Sequence, residues 1–598
     1  MLEFPDVPKW WKNATKFTKL KRAFETPKWI VGYDTETCFG EIMTQQVSSG
    51  RYQSKEVKSS IEWVKGETVL DKFLNQMFAL DGHVICFCFN AKFDLSILLR
   101  QYINEFLRDD FQLRHTTSKG RNWDITVMCS KNWSATFKCG NTFINFLDIQ
   151  NFFSGSLAKV ANTFQLEIKK LERPDALGSK YFYQNDKQFV AYALMDALLC
   201  LEIGTKIIDM HQEFDIPLSS SSANFAEKVF RREFIPGGIK IQFPQEFSCL
   251  RLAELSYHGG KNGYYLDNPS YISNCFEYDF NSAYPYSMFS LPSFVSGKYE
   301  KVTKFNSEHV GIYHTVGTIK PCKFGVLYNA KFDYYRFSEN IKVESFCTSY
   351  ELQEAIDSKE FKMESAKGWI WKPSSKESPL ADYCKHFWNL KNSTPKKDIK
   401  YIFYKLLLNS LYGKWIQRNP KSQPEYQCTN GKLKLIKKQE VAGGLYHPFI
   451  ASLITGNTRA RLHQAEHHYD AIESSTDSVK SRRYDIKSDH IKAMGTMQLE
   501  HHYCVPCGKE ITKVNGLFVR NRLNLLMCKK EHVVKCALHG FWGRPEKLLD
   551  MYHKKEYIYQ IDRMPLIREG IKQVGKNLFE MHTEERSINV SWDSLTKE

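Results

Sequence analysis

The segment from Ser393 to Trp415, STPKKDIKYIFYKLLLNSLYGKW, constrains the fold of this chain more than any other stretch. Its residues predict an amphipathic helix together with the limits of that helix. Thr394 is expected to be the N-cap, Pro395 lies in the first turn, and Gly413 follows the last turn. The chain therefore contains at least one well-defined helix with a polar stripe.

Three residues of this helix form the stripe, because Lys405, Asn409 and Tyr412 are spaced i, i+4 and i+7. A lysine on such a stripe can bind a triphosphate as a point charge, and asparagine and tyrosine beside it can contact the nucleotide pair. An ordinary core helix with one exposed lysine would explain the leucines but not the string NSLYGK. The stripe is therefore compatible with nucleotide binding, and a core helix with an exposed lysine is the alternative.

Length and charge narrow the class of protein. The 598 residues have room for several packed domains, and 42% hydrophobic residues can fill their cores, which excludes a disordered chain. A formal net charge of +16 favours a polyanionic partner, with nucleic acid ahead of a membrane surface. We find no signal-peptide pattern and no apolar run of about 18 residues, so we expect a soluble, cytoplasmic chain without a membrane partner.

The 16 cysteines are scattered, which suits a reducing compartment. Four of them could be drawn as a zinc site: Cys504 and Cys507 in CVPC, then Cys528 and Cys536. The second pair is spaced too widely for a ribbon knuckle, and VVKCALHG is typical of a strand in which Cys536 is a small buried residue. The buried-cysteine interpretation is therefore preferred, and zinc stays open.

Four acids follow predicted strands or lie on a helix in the N-terminal third. Asp34 and Glu36, separated by one residue at the end of WIVGYDTE, share a strand face and can reach one metal. Asp94 follows the buried strand VICFCF, and Tyr192 and Asp196 lie one turn apart on a helix. Singly, a solvated strand end or a core tyrosine would explain them. Together they indicate two divalent ions about 4 Å apart, which activate water and stabilise a leaving oxygen.

Two further motifs lie in the middle of the chain. In SYHGG, Gly259 and Gly260 follow Tyr257 and permit close approach of the backbone to a phosphate chain, although an ordinary turn would also explain them. In FEYDFNSAYPYSM, a strand delivers Asp279 to a turn that contains Tyr284. The strand end places an acid, and the turn exposes backbone amides.

The ordered motifs resemble those of a known family. DTE, NAKFD and YALMD resemble the three motifs of proofreading 3′→5′ exonuclease domains, and FEYDFNSAYPYSM, NSLYG, IESSTDSVK and HVVKCALHG resemble the polymerase motifs of family B. Two expected insertions, at 291–380 and 417–444, and the short length resemble the protein-primed DNA polymerases of small phages and linear plasmids. A host cytoplasm is then the expected location, with a mitochondrial or plasmid origin left open.

The resemblance implies roles for the exonuclease residues. Metal ligands would be Asp34, Glu36, Asp94 and Asp196. Tyr192 would orient the attacking water, and Asn90 and Phe93 would hold the frayed primer end. Lys169 or Lys170, in KKLERP, lies where the protein-primed relatives carry an additional catalytic lysine, without a register that chooses between them.

The resemblance also implies roles for residues of the expected polymerase domain. Asp279 and Asp477 would bind two Mg²⁺ ions, for which Mn²⁺ is expected to substitute, and Tyr284 would exclude a ribose 2′-hydroxyl. DNA would be bound by Tyr257, Gly259, Gly260 and Lys535, and the nucleotide by Tyr284, Lys405, Asn409 and Tyr412. Where relatives carry lysine and tyrosine in the primer-binding strand, the best register gives Arg522 and Asn524.

Ser475 departs from the family pattern, because relatives carry a first aspartate there. If the strand alternates faces, Glu473, Ser475 and Asp477 point the same way. We therefore expect Asp477 to bind metal opposite Asp279, while Glu473 partly replaces the missing negative charge.

The expected fold is mixed α/β, with a ribonuclease H-like exonuclease domain at 1–205 and a right-hand polymerase domain at 206–598. Within the latter we expect palm at 206–290 and 445–541, a first insertion at 291–380, fingers at 381–416, a second insertion at 417–444 and thumb at 542–598. Expected partners are template-primer DNA, deoxynucleoside triphosphates and a separate terminal protein, bound by a monomer. Two rival functions remain: an active exonuclease with a degenerate polymerase half, and a non-enzymatic single-strand DNA-binding protein.

Overall fold

The structure is a computed structural model. It describes residues 19–38, 41–64, 68–108, 110–129, 132–172, 186–235, 241–329, 338–420, 425–429, 432–437, 440–489, 493–563, 582–588 and 596–597. Among these residues, no helix is long and apolar enough to cross a membrane.

An eight-stranded mixed sheet forms the N-terminal part. Its strands are β1 Trp29–Cys38, β2 Glu41–Arg51, β3 Val57–Trp63, β4 His83–Cys88, β5 Asp110–Thr116, β6 Asn122–Met128, β7 Ser134–Cys139 and β8 Thr142–Asp148. Their order is β3-β2-β1-β4-β8-β7-β6-β5, and β4 runs parallel to both β1 and β8. Five of the six residues of β4 are buried, as expected for a strand inside a parallel region.

Four helices accompany this sheet: α1 Thr68–Leu80, α2 Ala91–Leu98, α3 Leu157–Thr163 and α4 Lys187–Glu213. The long α4 lies against β1 at Gly32, where a Cβ atom would lie 1.8 Å from the carbonyl oxygen of Ala197. Only glycine permits so close an approach of helix and strand. Because α4 continues to Glu213, the expected domain boundary at 205 falls inside a helix.

The C-terminal part begins with α5 Ser222–Val229, α6 Phe247–Leu255, β9 Asn262–Tyr264, β10 Ser270–Phe280 and α7 Ala283–Phe289. A compact unit follows within the expected first insertion. It comprises β11 Gly297–Val302, β12 Gly311–Ile319, β13 Ile341–Thr348, α8 Ser349–Asp357 and β14 Phe361–Pro373. Its four strands form an antiparallel sheet in the order β11-β14-β12-β13.

Two helices form the expected fingers, α9 Pro379–Ser393 and α10 Ile399–Ser410. The predicted limits of the second helix are wrong at both ends. Thr394 is the C-cap of α9, and its hydroxyl donates to the carbonyl of Leu390 at 2.7 Å. Asp398 caps α10 instead, accepting from the Lys400 amide at 2.9 Å, and Gly413 lies within a 3-10 turn, Tyr412–Ile416. A threonine can thus cap the preceding helix as readily as the following one.

The expected second insertion contains short antiparallel strands. They are β15 Arg418–Pro420, β16 Glu425–Thr429, β17 Lys432–Lys437 and β18 Glu440–Ala442. β15 pairs with β18 and β16 pairs with β17, so the described parts of this segment form antiparallel hairpin pairs.

The long helix α11 Pro448–Tyr469 leads into the remaining strands, β19 Glu473–Ser475, β20 Ser478–Ser481, β21 Met497–Leu499, β22 His502–Cys504, β23 Lys509–Ile511, β24 Val514–Arg520, β25 Leu523–Met527 and β26 Val533–Leu538. The chain continues with α12 Pro545–Lys554, β27 Ile558–Arg563, β28 His582–Ser587 and β29 Thr596–Lys597. The central sheet has the order β26-β25-β24-β10-β20-β19-β9, with β21 and β29 also pairing with β10.

The two halves share one large hydrophobic core, which includes Phe87 of β4, Phe403 of α10 and Phe449 of α11. The mixed α/β class is therefore confirmed, and the halves are packed as one molecule.

Candidate active sites

A cavity of about 1280 Å³ opens between β10, α7, α10 and the turn that joins β19 to β20. Six of the residues predicted from the sequence line it: Asp279, Tyr284, Lys405, Asn409, Tyr412 and Asp477. These residues are spread over 199 positions of the chain, and folding brings them to one cleft.

Asp279 and Asp477 are neighbours across the central sheet. Asp279 on β10 pairs with Ser478 of β20, and the Phe280 amide donates to the Asp477 carbonyl at 2.9 Å. Thr476 and Asp477 form the two-residue turn between β19 and β20, and Thr476 has φ +60°. The expectation that Asp477 continues the strand face of Glu473 and Ser475 is therefore wrong, because the left-handed residue ends the alternation.

The two aspartates create a strongly acidic site. Burial, and then the neighbouring Asp477 carboxylate, raises the pKa of Asp279, and burial also raises the pKa of Asp477. Among the described residues, the buried Oδ1 atom of Asp279 has no hydrogen-bond partner. Desolvated carboxylate oxygens without a donor fit a hard divalent cation, so this pair is suited to hold Mg²⁺.

Glu473 and Ser475 have other partners. The Ser475 hydroxyl donates to Asn262 Oδ1 of β9 at 3.1 Å. Glu473 is fully buried and accepts from the Arg522 amide at 3.0 Å and from Asn524 Nδ2 at 2.7 Å. The expected role of Glu473 beside Asp477 thus finds no support here, and Asn524 is an internal partner of Glu473.

The glycine motif packs against this site. A Cβ atom on Gly260 would lie 2.7 Å from Thr476 Cγ2 and 3.1 Å from the Tyr284 hydroxyl, whereas a Cβ atom on Gly259 would meet nothing within 4 Å. Tyr284 in turn stacks on Tyr412, with ring centroids 3.9 Å apart and planes 3° apart. Gly260 is therefore required for protein packing, a reason that the sequence did not reveal.

The buried Arg459 of α11 holds the glycine segment in place. Its guanidinium donates to the carbonyls of His258 and Gly259 and pairs with Glu351 of α8 at 2.8 Å. Tyr257, at the start of the motif, packs against the shared core. Sequence reasoning missed Arg459, since nothing local in α11 distinguishes it from a solvated arginine.

Three lysines line the cavity, of which only Lys405 was predicted; the others are Lys391 and Lys396. Burial, and then the charges of Lys405 and Lys396, lowers the pKa of Lys391 to about 8. Such crowding of cations around a cleft suits a polyphosphate. Lys391 lies in the last turn of α9, whereas NSLYG begins at the end of α10. Helical spacing around NSLYG therefore could not reveal it.

Lys535 lies on β26 beside the acidic pair. Its ammonium is 2.8 Å from Glu277 Oε2, two residues before Asp279 on β10. Its positive charge opposes the rise in the pKa of both Asp279 and Asp477. The predicted DNA-contacting lysine is thus adjacent to the predicted metal ligands.

The second site lies where β1, α2 and α4 meet. Carboxylate oxygens of Asp34, Glu36 and Asp196 all lie within 4.8 Å of one another, close enough to hold one ion. Asp94 joins this group through Thr35, whose hydroxyl donates to Asp94 Oδ1 at 2.8 Å.

The charge state of this second site also fits divalent cations. Burial is the largest cause that raises the pKa of Asp34, Asp94 and Asp196, and one buried oxygen of each has no hydrogen-bond partner among the described residues. A divalent cation bound to these buried oxygens would offset the cost of keeping the carboxylates charged.

Lys170 and Tyr192 border the four acids. Lys170 forms an ion pair with Asp196, and its ammonium lies 5.3 Å from the centre of the Tyr192 ring, whereas Lys169 is exposed. Burial alone lowers the pKa of Lys170, but Asp196 leaves it raised overall. Burial raises the pKa of Tyr192 to about 12, so its hydroxyl stays protonated.

Asn90 and Phe93 lie at the start of α2, where Asn90 is the N-cap with φ +77°. The buried Asp148, at the end of β8, accepts from the Asn90 amide at 3.0 Å and from the Ala91 amide at 2.9 Å. Asp148 therefore fixes the helix start that carries Asp94. Sequence reasoning missed it, although an acid directly after the apolar run FINFL was a usable signal.

The family model for DNA polymerase type B, organellar and viral, matches residues 183–494, which is more than half of the chain. The chain belongs to this family. The match includes the polymerase cavity residues from Asp279 to Asp477, whereas Asp34, Glu36 and Asp94 lie before it. No curated protein sequence matches the polymerase.

Solved structures of phi29 DNA polymerase share the fold of this polymerase. Its complex with primer-template DNA in the post-translocation binary state has a TM-score of 0.67 at 14% identity, covering 94% of this chain and 100% of that chain. Its ternary complex with primer-template DNA and incoming nucleotides has a TM-score of 0.62 at 14% identity, covering 96% and 100%. The mixed α/β fold class predicted from the sequence is thereby confirmed, and phi29 DNA polymerase shares this fold over nearly the whole chain.

Proposed function

We propose that this type B polymerase extends primers on a DNA template from deoxynucleoside triphosphates and removes nucleotides from 3′ ends at its second site. The observation that carries the proposal is the cavity that Asp279, Asp477, Lys391 and Lys405 line together. Carboxylates and lysines in one cleft match what metal-assisted nucleotidyl transfer requires.

Each side chain has a defined task in this proposal. Asp279 and Asp477 hold Mg²⁺, or Mn²⁺ in its place, and the bound ions supply charge stabilisation to the transferring phosphoryl group. Lys405 and Lys391 bind the triphosphate, while Asn409 and Tyr412 contact the nucleotide. Tyr284, fixed by its stack on Tyr412, contacts the sugar and excludes a 2′-hydroxyl.

The exonuclease half of the proposal assigns Asp34, Glu36, Asp94 and Asp196 as ligands for two divalent ions. Tyr192 orients the attacking water as a protonated hydroxyl, and Lys170 is favoured over Lys169 because it pairs with Asp196. Asn90 and Phe93 hold the frayed primer end.

We further propose that the polymerase works as a monomer on template-primer DNA and starts synthesis from a separate terminal protein, with strand displacement. The sheet unit within residues 291–380 is the expected contact for the terminal protein, and the hairpin within 417–444 is the expected clamp on the template. Tyr257, Gly259, Gly260 and Lys535 are the expected contacts with the primer-template. The phi29 DNA polymerase structures that share this fold contain primer-template DNA, which supports the proposed DNA contacts.

The test uses the purified protein on a primed template with and without Mg²⁺. We expect template-directed extension and 3′ degradation that both require the metal. Degradation without extension would favour an exonuclease with a degenerate polymerase half, and DNA binding without either activity would favour a non-enzymatic binding protein.

Separate sites also predict separable activities, because the two acidic groups share no ligand. The double variant Asp34→Ala, Glu36→Ala should lose degradation of single-stranded primers, by about 10²-fold or more, while extension stays close to that of the unchanged protein. Joint loss of both activities in a variant with an unchanged unfolding temperature would contradict two independent sites.

A further inference from the structure

Four soft ligands come together beside the central sheet. They are the thiols of Cys504, Cys507 and Cys528 and the imidazole of His532, and all four donor atoms lie within 4.8 Å of one another. Cys504 and Cys507 flank the turn that joins β22 to β23, and Cys528 and His532 flank the turn that joins β25 to β26. Two hairpins thus meet at one point through their turns.

The distances between these donor atoms are those of a tetrahedral metal site. Cys507 Sγ lies 3.8 Å from Cys528 Sγ, and His532 Nδ1 lies 3.8, 3.4 and 3.6 Å from the sulfurs of Cys504, Cys507 and Cys528. With zinc bonds of about 2.3 Å to sulfur and about 2.0 Å to nitrogen, tetrahedral edges are about 3.8 Å between sulfurs and about 3.5 Å between sulfur and nitrogen. A disulfide would instead need sulfurs about 2.05 Å apart.

The backbone of both turns is shaped around the sulfurs. The Lys530 amide donates to Cys528 Sγ at 3.3 Å, and Glu531 reaches φ +59° so that the chain can return to His532. In the other turn, Gly508 follows Cys507 with φ +63°, a conformation that glycine adopts without strain. Such amide contacts orient a thiolate and offset its charge.

The hairpin β22–β23 has little apolar packing to stabilise it. It forms a separate two-stranded sheet, and two of its larger apolar side chains are exposed, Tyr503 by 61% and Val505 by 77%. A two-stranded hairpin with so little apolar cover is marginal in water. A metal that joins it to β25–β26 would supply the stability that packing does not.

We infer that Cys504, Cys507, Cys528 and His532 bind one structural Zn²⁺ ion. Three thiolates and an imidazole select zinc over the hard Mg²⁺ ions expected at the carboxylate sites. The expectation that Cys536 is a buried core residue is wrong, because it is exposed on β26. Four residues along a strand, about 13 Å, separate it from His532, so both cannot bind the same ion.

The zinc site would fix the surroundings of Asp279. His502 on β22 and Lys535 on β26 both contact Glu277 Oε2, at 3.4 Å and 2.8 Å. Zinc therefore holds together the two hairpins whose side chains converge on β10 two residues before Asp279.

The test measures metal in the full-length protein, purified without a histidine tag and with reducing agent. We expect about one zinc per chain by mass spectrometry. Cys528→Ser and His532→Ala should lose it, His532→Cys should retain it, and the control Cys536→Ser should also retain it.

Cobalt substitution of the unchanged protein provides a readout that does not depend on the folding of any variant. Tetrahedral cobalt with thiolate ligands should give intense visible absorption together with sulfur-to-metal charge transfer, which carboxylate-bound cobalt does not produce. Absence of zinc together with absence of these bands after reconstitution overturns the inference. Zinc that persists in Cys528→Ser, or a site filled by iron, overturns it equally.

Discussion

Replacing Gly260 by alanine tests how tightly the polymerase site is built. The new Cβ atom would lie 2.7 Å from Thr476 Cγ2, whereas ordinary contacts begin at 3.4 Å. The turn that carries Asp477 would therefore have to move by about 0.7 Å or more, at a cost of about 1–3 kcal/mol for overpacking.

The turn has little room to move. The Thr476 amide donates to the Lys261 carbonyl at 2.7 Å, and the fully buried Lys261 ammonium pairs with the fully buried Glu466. Glu466 also accepts from the Tyr265 hydroxyl at 2.7 Å and from Ser474 Oγ at 2.6 Å. The displacement must then be taken up near Asp477, and misplacement of a reacting group by about 1 Å can cost about 10²-fold in rate.

We expect Gly260→Ala to slow single-nucleotide extension by about 10–100-fold, or about 1.4–2.7 kcal/mol of barrier, measured at saturating nucleotide and DNA. Degradation of single-stranded primers should be unchanged, which shows that the protein is folded. Gly259→Ala is the matched control for stability, and its unfolding temperature should equal that of the unchanged protein because its Cβ atom would meet nothing within 4 Å.

A second substitution identifies the cause. Thr476→Ser removes the Cγ2 atom, so the double variant with Gly260→Ala should extend faster than Gly260→Ala alone. If Gly260→Ala extends at the rate of the unchanged protein, the close packing of Gly260 against Thr476 does not affect extension. If the double variant shows no recovery, contact with Thr476 is not the reason for the loss.

Three further predictions follow from the same structure. Asp477→Asn should nearly abolish extension because a metal ligand is lost. Ser475→Ala should cost less than about tenfold in extension rate, because the Ser475 hydroxyl donates to Asn262, and Ser475→Asp should be tolerated. Extension rates against Mg²⁺ concentration decide this, and an inactive Ser475→Ala variant would refute it. Replacing residues 419–441 by two glycines, which joins the paired Arg418 and Ala442, should shorten products and block strand displacement while single-nucleotide addition survives; unchanged product length on double-stranded template would contradict this. His463→Gln should destabilise the protein by about 3–5 kcal/mol in thermal unfolding.

The loss in His463→Gln should depend on pH. His463 contacts Glu354 at 2.8 Å and Glu360 at 3.0 Å. Burial alone would lower the pKa of His463 and raise the pKa of Glu360. These contacts nevertheless raise the pKa of His463 above 6.5 and lower the pKa of Glu360 from 4.5 to about 2. His463, whose pKa is raised, stabilises the folded state fully below pH 6.5 and loses this contribution as the pH rises. Glu360, whose pKa is lowered, stabilises the folded state fully above pH 4.5 and loses this contribution as the pH falls. The difference in unfolding temperature should therefore be largest between pH 4.5 and 6.5, and a difference that grows above pH 8 would contradict this assignment.

Local chemistry in the sequence determined which residue types were available and on which elements. The spacing of Lys405 and Asn409 predicted one stripe of α10, and both line the cavity; Tyr412 also lines it, but from the 3-10 turn that follows α10 and not from the predicted helix. The alternation of Asp34 and Glu36 predicted two acids that can share an ion, and their oxygens lie within reach of each other. Such predictions succeed because helical and strand periods depend on neighbouring residues alone.

Only the tertiary structure decided which distant residues meet. Lys391 reaches the cavity from α9, Asp148 fixes the start of α2 from β8, and His532 instead of Cys536 completes the cysteine cluster. Gly260 is constrained by Thr476, more than 200 residues later in the chain. No local period records these contacts, because they arise from the packing of elements whose relative positions are set by loop closure and burial of the shared core.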